Sequence, residues 1–175
     1  MRLLYLFLIS SLFIGCKTSQ ISSKQPSAIK SINWLSGCME ESACEAEIMG
    51  NKKMILLKDE VSNQIYPQFV ADSSKQIIKL TSRINADKMH LDQHYFEDIY
   101  IELPNKYYPI KAINIELLQY KVLLHKSCYC RGEAGYYAIR NGELKINQKN
   151  LILSFDVPET NIRLNSIQIE FDSNH

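Results

Sequence analysis

The chain has 175 residues, 46% of them hydrophobic and 22% charged, with only six Gly and five Pro, a composition that excludes a disordered or low-complexity polymer and points to one ordinary globular domain. Lys and Arg number 20 against 19 for Asp and Glu, and without the first 15 residues, whose only charge is Arg2, the balance is 19 against 19. A neutral chain with no basic cluster lacks the field that phosphate backbones require, which argues against nucleic acid as a partner.

Residues 1–15 place Arg2 ahead of a short apolar run and then a small residue, Gly15, before Cys16. This is the pattern of a secretory signal, too short to span a bilayer as a stable helix. The segment Phe13, Ile14, Gly15, Cys16 resembles the lipobox of bacterial lipoproteins, with Phe13 where Leu is usual. The resemblance implies that residues 1–15 are removed, that Cys16 is acylated and becomes the first residue of the mature chain, and that the protein is held on a membrane of a bacterial cell envelope. Two or three acyl chains hold far more firmly than one, since each buried methylene contributes about 0.8 kcal/mol. Residues 16–30 are polar and Ser-rich, with Pro26 and no periodic apolar face, and read as a flexible tether. In some lipoproteins of the Bacteroidetes type an acidic run after the acylated Cys resembles a surface-export signal. No such run follows Cys16, so the expected placement faces the periplasm. The resemblance covers the anchor alone and is silent on residues 31–175.

Residues 31–175 read as one domain dominated by alternation of apolar and polar positions over short runs, the signature of half-buried strands. Residues 37–49, with Ser36 as a cap and Gly50 as a stop, read as a short helix. Strands are predicted over 53–57, 76–81, 98–103, 113–125, 135–140, 143–146, 151–157 and 166–171, and a second helix over 85–96. In the run 151–157, Leu151, Leu153, Phe155 and Val157 share one face while Ile152, Ser154 and Asp156 share the other. Pro104 and Pro158 stand where strands are expected to end. Asn141 and Gly142, flanked by Arg140 and Glu143, predict a two-residue hairpin, because both central residues of a type I′ turn need positive φ. The expected fold is mainly β: a single antiparallel β-sandwich or partly closed barrel with one or two short helices, braced by disulfides.

Besides Cys16 the chain has four thiols, Cys38, Cys44, Cys128 and Cys130. An even number behind an export signal points to two disulfides. On one strand, Cys128 and Cys130 would stand with Cα atoms roughly 6.5 to 7 Å apart, at the limit for a bridge, and Cys38 and Cys44 on one helix would lie on different faces. We therefore expect cross-pairing, with Cys38 and Cys44 each bonded to one of Cys128 and Cys130; two local pairs, or free or metal-bound thiols, are the alternatives.

Three groups of residues carry possible chemistry. His125, Cys128 and Cys130 are soft ligands within six residues of chain, and a thiol or metal-binding protein using them is one functional reading. A closed site lacks a fourth ligand, and an exposed His beside structural disulfides accounts for the same residues. His90 and His94, with Asp92, Glu97 and Asp98, have metal-site spacing on a helix but lack the Glu that a metal-dependent protease needs after its first His; a solvated polar segment explains them as well. Arg131, in a Gly-containing turn directly after Cys130, reads as a recognition loop that a disulfide would hold rigid. Tyr129, Tyr136 and Tyr137, with Tyr107 and Tyr108, add amphipathic surface of the kind enriched where proteins meet. Glu40, Glu41, Glu45 and Glu47 read as a solvated acidic face. No nucleophile elbow, phosphate-binding glycine loop or dinucleotide fingerprint occurs, and the sequence nominates no cofactor and no catalytic residue. The resulting expectation is a non-enzymatic, lipid-anchored envelope protein that contacts the membrane through acylated Cys16 and binds an envelope protein or component through a disulfide-braced β surface.

Overall fold

The computed structural model describes residues 31–38, 42–84, 95–106 and 109–172. The expected signal, acylation site at Cys16 and tether therefore lie outside the described residues. Alternating patterns become ten strands in two five-stranded sheets, with every pairing antiparallel. The first sheet carries β1 (Ser31–Ser36), β10 (Ser166–Asp172), β9 (Asn150–Asp156), β8 (Asn141–Ile146) and β5 (Ile110–Ile113), in that spatial order. The second carries β2 (Ser42–Lys58), β3 (Ile65–Ile84), β4 (Tyr95–Pro104), β6 (Leu123–Ser127) and β7 (Gly135–Ala138). The fold is a mainly β, two-sheet sandwich. Its core lies between the sheets, where Leu151, Leu153 and Phe155 of β9 meet Ile78, Leu80, Ile99, Ile101 and Leu124 of the second sheet. Ile152, Ser154 and Asp156 face solvent, as the period-2 pattern requires.

The second sheet also buries residues on its other face. At Asn51, which has φ 54°, the pairing of β2 with β3 jumps from Gly50↔Gln76 to Lys52↔Ala71, leaving residues 72–75 opposite a single residue. That mismatch bends the long hairpin, and Asn105 ties the bend to the end of β4 by donating through Nδ2 to Ser73 O at 2.6 Å and Asn51 Oδ1 at 3.1 Å. The outer half of the hairpin packs Met54, Leu56 and Phe69 onto Ile77, Tyr100 and Leu123. Glu102 is nearly solvent-free; it accepts from Met54 N at 2.6 Å and from Lys121 Nζ at 2.9 Å, and Lys121 Nζ also donates to Met54 O.

Several local expectations need correction. Residues 42–50 are strand, not helix. Ser42, Cys44, Ala46 and Ile48 point inward while Glu45 and Glu47 face solvent, so the alternation is present, but its inward members are too small to read as a core stripe. The predicted strand 113–125 divides into β5, a 3₁₀ helix over Asn114–Tyr120 and β6. Asn114 at φ 53° and Lys121 at φ 43° mark its ends, and Glu116 Oε2 accepts from Ile113 N at 2.9 Å.

The Asn141, Gly142 pair forms no hairpin: β7 pairs with β6, whereas β8 pairs with β9 and β5. Ile139 and Arg140 carry the chain from one sheet to the other, so Arg140 and Glu143 do not face each other across a turn. Gly142 is required by close approach instead, because a Cβ there would stand 2.2 Å from Ser154 O. Of the second predicted helix, residues 85–94 lie outside the described residues, and Tyr95 and Phe96 begin β4. Among the described residues no helix is long and apolar enough to cross a membrane.

Candidate functional site

Of the residues singled out by sequence, His125, Cys128, Tyr129, Cys130, Arg131, Tyr136 and Tyr137 gather on one hairpin, β6, its connecting loop and β7. The loop begins where the β6 ladder ends, so Cys128 and Cys130 lie in a bend with Cα atoms 5.2 Å apart, and they are bonded to each other. Cys38, just past β1, is bonded to Cys44 of β2, with Cα atoms 6.0 Å apart. Both pairs are local, which overturns the expected cross-pairing. The reason is strand order: β3 and β4 stand between β2 and β6, and three interstrand steps separate them by about 14 Å, twice the reach of a disulfide.

The loop is held from beneath by a buried cation. Lys126, 2% exposed, donates through Nζ to Glu133 Oε2 at 2.5 Å, to Asn161 O at 2.5 Å and to Thr160 Oγ1 at 3.2 Å. The hydrogen bond from Lys126 holds the Glu133 carboxyl below its ordinary range. Tyr137 Oη donates to Glu133 O at 2.9 Å, and Glu133 N donates to Cys130 O at 3.3 Å. On the neighbouring strand, buried Glu97 accepts from Arg163 N at 2.9 Å, Leu164 N at 2.7 Å and Tyr95 Oη at 2.5 Å. These two charged residues fix the loop that follows β9 against the hairpin. Above them, Tyr129 is 94% exposed and Arg131 is exposed beside it.

Sheet register sets a second polar group on the outer face, because Glu45, Thr81, Asp98, His125 and Tyr136 are successive cross-strand partners. The His125 ring stacks on Tyr136, centroids 4.1 Å apart, and meets the edge of Phe96 at 5.3 Å. Its Nδ1 lies 3.4 Å from Asp98 Oδ2, and Thr81 Oγ1 donates to Asp98 Oδ1 at 2.6 Å. Burial pushes the Asp98 carboxyl up, but hydrogen bonds from His125 and Thr81, with the Lys79 ammonium 3.5 Å away, leave it below its ordinary range. Burial and the Asp98 charge both push the Tyr136 hydroxyl up.

The ligand set of His125, Cys128 and Cys130 does not assemble. Both Cys128 and Cys130 are oxidised, and His125 is directed to Asp98 rather than toward them. Glu97 and Asp98, adjacent on β4, point to opposite faces of the sheet. His90, Asp92, His94, Glu40, Glu41, Tyr107 and Tyr108 lie outside the described residues, while Glu45 and Glu47 are exposed on β2. Among the described residues no group of three or more His, Cys, Asp or Glu is arranged to hold a metal ion.

The four candidate recognition residues divide. Tyr129 and Arg131 stand at the loop tip, whereas Tyr136 lies on the outer face and Tyr137 packs toward the main core. Lys126, Glu133 and Glu97 were not legible as loop anchors, since their partners lie up to 67 residues away in sequence. No family model, no curated protein and no solved structure matches this chain.

Proposed function

We propose that this protein is a non-enzymatic lipoprotein of a bacterial cell envelope, anchored through acylated Cys16 and facing the periplasm, which docks an envelope protein or component on the loop between β6 and β7. The observation that carries the reading is the 94% exposure of Tyr129 at the tip of a loop whose flank is fixed by Lys126. A large side chain displayed on a pre-ordered loop loses little entropy on docking, which favours affinity. Tyr and Arg are the side chains that most often dominate such contacts.

A photo-reactive phenylalanine at position 129 tests this in cells, with position 152 on the outer face of the first sheet as control. The expected result is a discrete adduct from position 129 that weakens in Arg131→Ala and is absent from position 152. Equal labelling at both positions, or none at 129, overturns the docking face. For the anchor, Cys16→Ala is expected to stop incorporation of labelled palmitate; continued incorporation excludes acylation at Cys16.

A further inference from the structure

We infer that the Cys128–Cys130 disulfide is a thiol–disulfide exchange site for a dithiol on another exported protein. This goes beyond the docking reading and does not depend on it, since a partner that only docks leaves both sulfurs bonded.

Linkage supplies the first argument: a fold protects a disulfide only by as much as the disulfide stabilises the fold. Cys128 and Cys130 are two residues apart, so their bond removes little freedom from the unfolded chain. The hairpin is closed without it. The β6–β7 ladder runs from Leu123↔Ala138 to Lys126↔Gly135, and Lys126 with Glu133 secures the loop just past the sulfurs. Opening the bond therefore leaves the ladder and the Lys126 network in place. Cys38–Cys44 differs, because it joins the connection between β1, at the edge of one sheet, to β2, at the edge of the other.

Access and charge supply the second argument. Both Cys128 and Cys130 are partly exposed around the fully displayed Tyr129, and the exposed Arg131 directly follows Cys130. A neighbouring cation stabilises a departing thiolate. An incoming thiolate forms a bond to Cys128 Sγ as the Sγ–Sγ bond breaks, and Cys130 leaves as a thiolate beside Arg131 and takes up a proton. The partner's second thiol, losing its proton, then attacks its own sulfur in the mixed disulfide and releases Cys128 as a thiolate, which is protonated in turn. The partner dithiol loses two electrons and becomes a disulfide; Cys128 and Cys130 gain them and become thiols.

The experiment equilibrates the purified full chain in buffers of graded reduced and oxidised glutathione, traps thiols by alkylation, and maps them by mass spectrometry beside a circular-dichroism record. Cys128 and Cys130 are expected to be half-reduced at a ratio [GSH]²/[GSSG] at least about fourfold lower than Cys38 and Cys44, with the β spectrum unchanged. Opening of Cys38–Cys44 first or together with it, or resistance of Cys128–Cys130 until the spectrum is lost, overturns the proposal. Mixed with an equimolar two-cysteine peptide, the oxidised chain is expected to yield the peptide disulfide, and the folded double variant Cys128→Ser, Cys130→Ser none. A peptide that stays reduced, or a double variant that does not fold, refutes it.

Discussion

The two disulfide-closed connections are alike on paper and different in the molecule. Each joins cysteines close in sequence, six residues apart for Cys38 and Cys44 and two for Cys128 and Cys130. The first lies where the chain passes between sheets, at edges that among the described residues pair with a strand on one side only, so the covalent bond reinforces a place where strand pairing is thin. The second lies at the end of a hairpin that a buried lysine already holds. A crosslink matters to a fold where other constraints are few, and sequence separation alone does not say where that is.

This contrast ranks the losses expected from substitution, read by chemical or thermal unfolding. The largest belongs to the anchor. Lys126→Met keeps the volume of the side chain but leaves Glu133, Asn161 O and Thr160 without their buried donor, at an expected cost of about 3 kcal/mol. A loss well below 1 kcal/mol would mean that the disulfide, not the lysine, orders the loop. Next comes Cys38→Ser with Cys44→Ser, for which a closed loop of this size predicts roughly 2.4 kcal/mol in the chain-entropy model. Cys128→Ser with Cys130→Ser is expected to cost at most about 1.6 kcal/mol by the same relation. If the order of the two pairs reverses, the assignment of structural and dispensable bonds reverses with it.

The smallest effect is a titration. The Asp98 carboxyl is held below its ordinary value in the folded chain. Its contribution is therefore fully present above the unfolded-state value near 3.8 and is lost as pH falls through the lower folded-state value. Unfolding midpoints recorded from pH 6 down to pH 3 are expected to fall more steeply for the wild type than for Asp98→Asn. Equal slopes would show that the hydrogen bonds of Asp98 with His125 and Thr81 and its ion pair with Lys79 do not contribute to stability.

Much of the sandwich was readable from the chain because β9 and β10 alternate large apolar residues with polar ones, and that period has one burial solution. The first half of β2 was misread because Ser42, Cys44 and Ala46 are small; the second sheet accepts them at its edge, where little depth has to be filled. Asn141 and Gly142 were misread for a different reason. The local need for an unusual glycine backbone was real, with φ 145° at Gly142, but close packing on Ser154 imposes it rather than a turn. The disulfide pairing depends on which strands intervene between β2 and β6, a long-range property that no local pattern encodes. At the candidate site, Tyr129, Arg131, His125 and the cysteines were visible because residue types with recognisable chemistry fall within seven residues of chain. Lys126 and Glu97 were not, because charged residues inside alternating strands are read as solvent-facing until the loop that buries them is placed.

The bend at Asn51 also bears on how the molecule behaves in company. Among the described residues β2 pairs as a strand only with β3, so its other side is an edge row of backbone donors and acceptors, in which the N–H and C=O of Met54 are already taken by Glu102 and Lys121. Drawn straight, its 17 residues would offer an edge of about 56 Å, ample for a second copy to add a strand and begin a growing assembly. The bend divides that row into two lengths of roughly 30 Å and 23 Å pointing in different directions, and Lys52, Lys53 and Lys58 place charge along the outer one. A strand that matches one length is carried away from the other, so the same irregularity that folds the hairpin over the sheet also guards the chain against edge-to-edge aggregation.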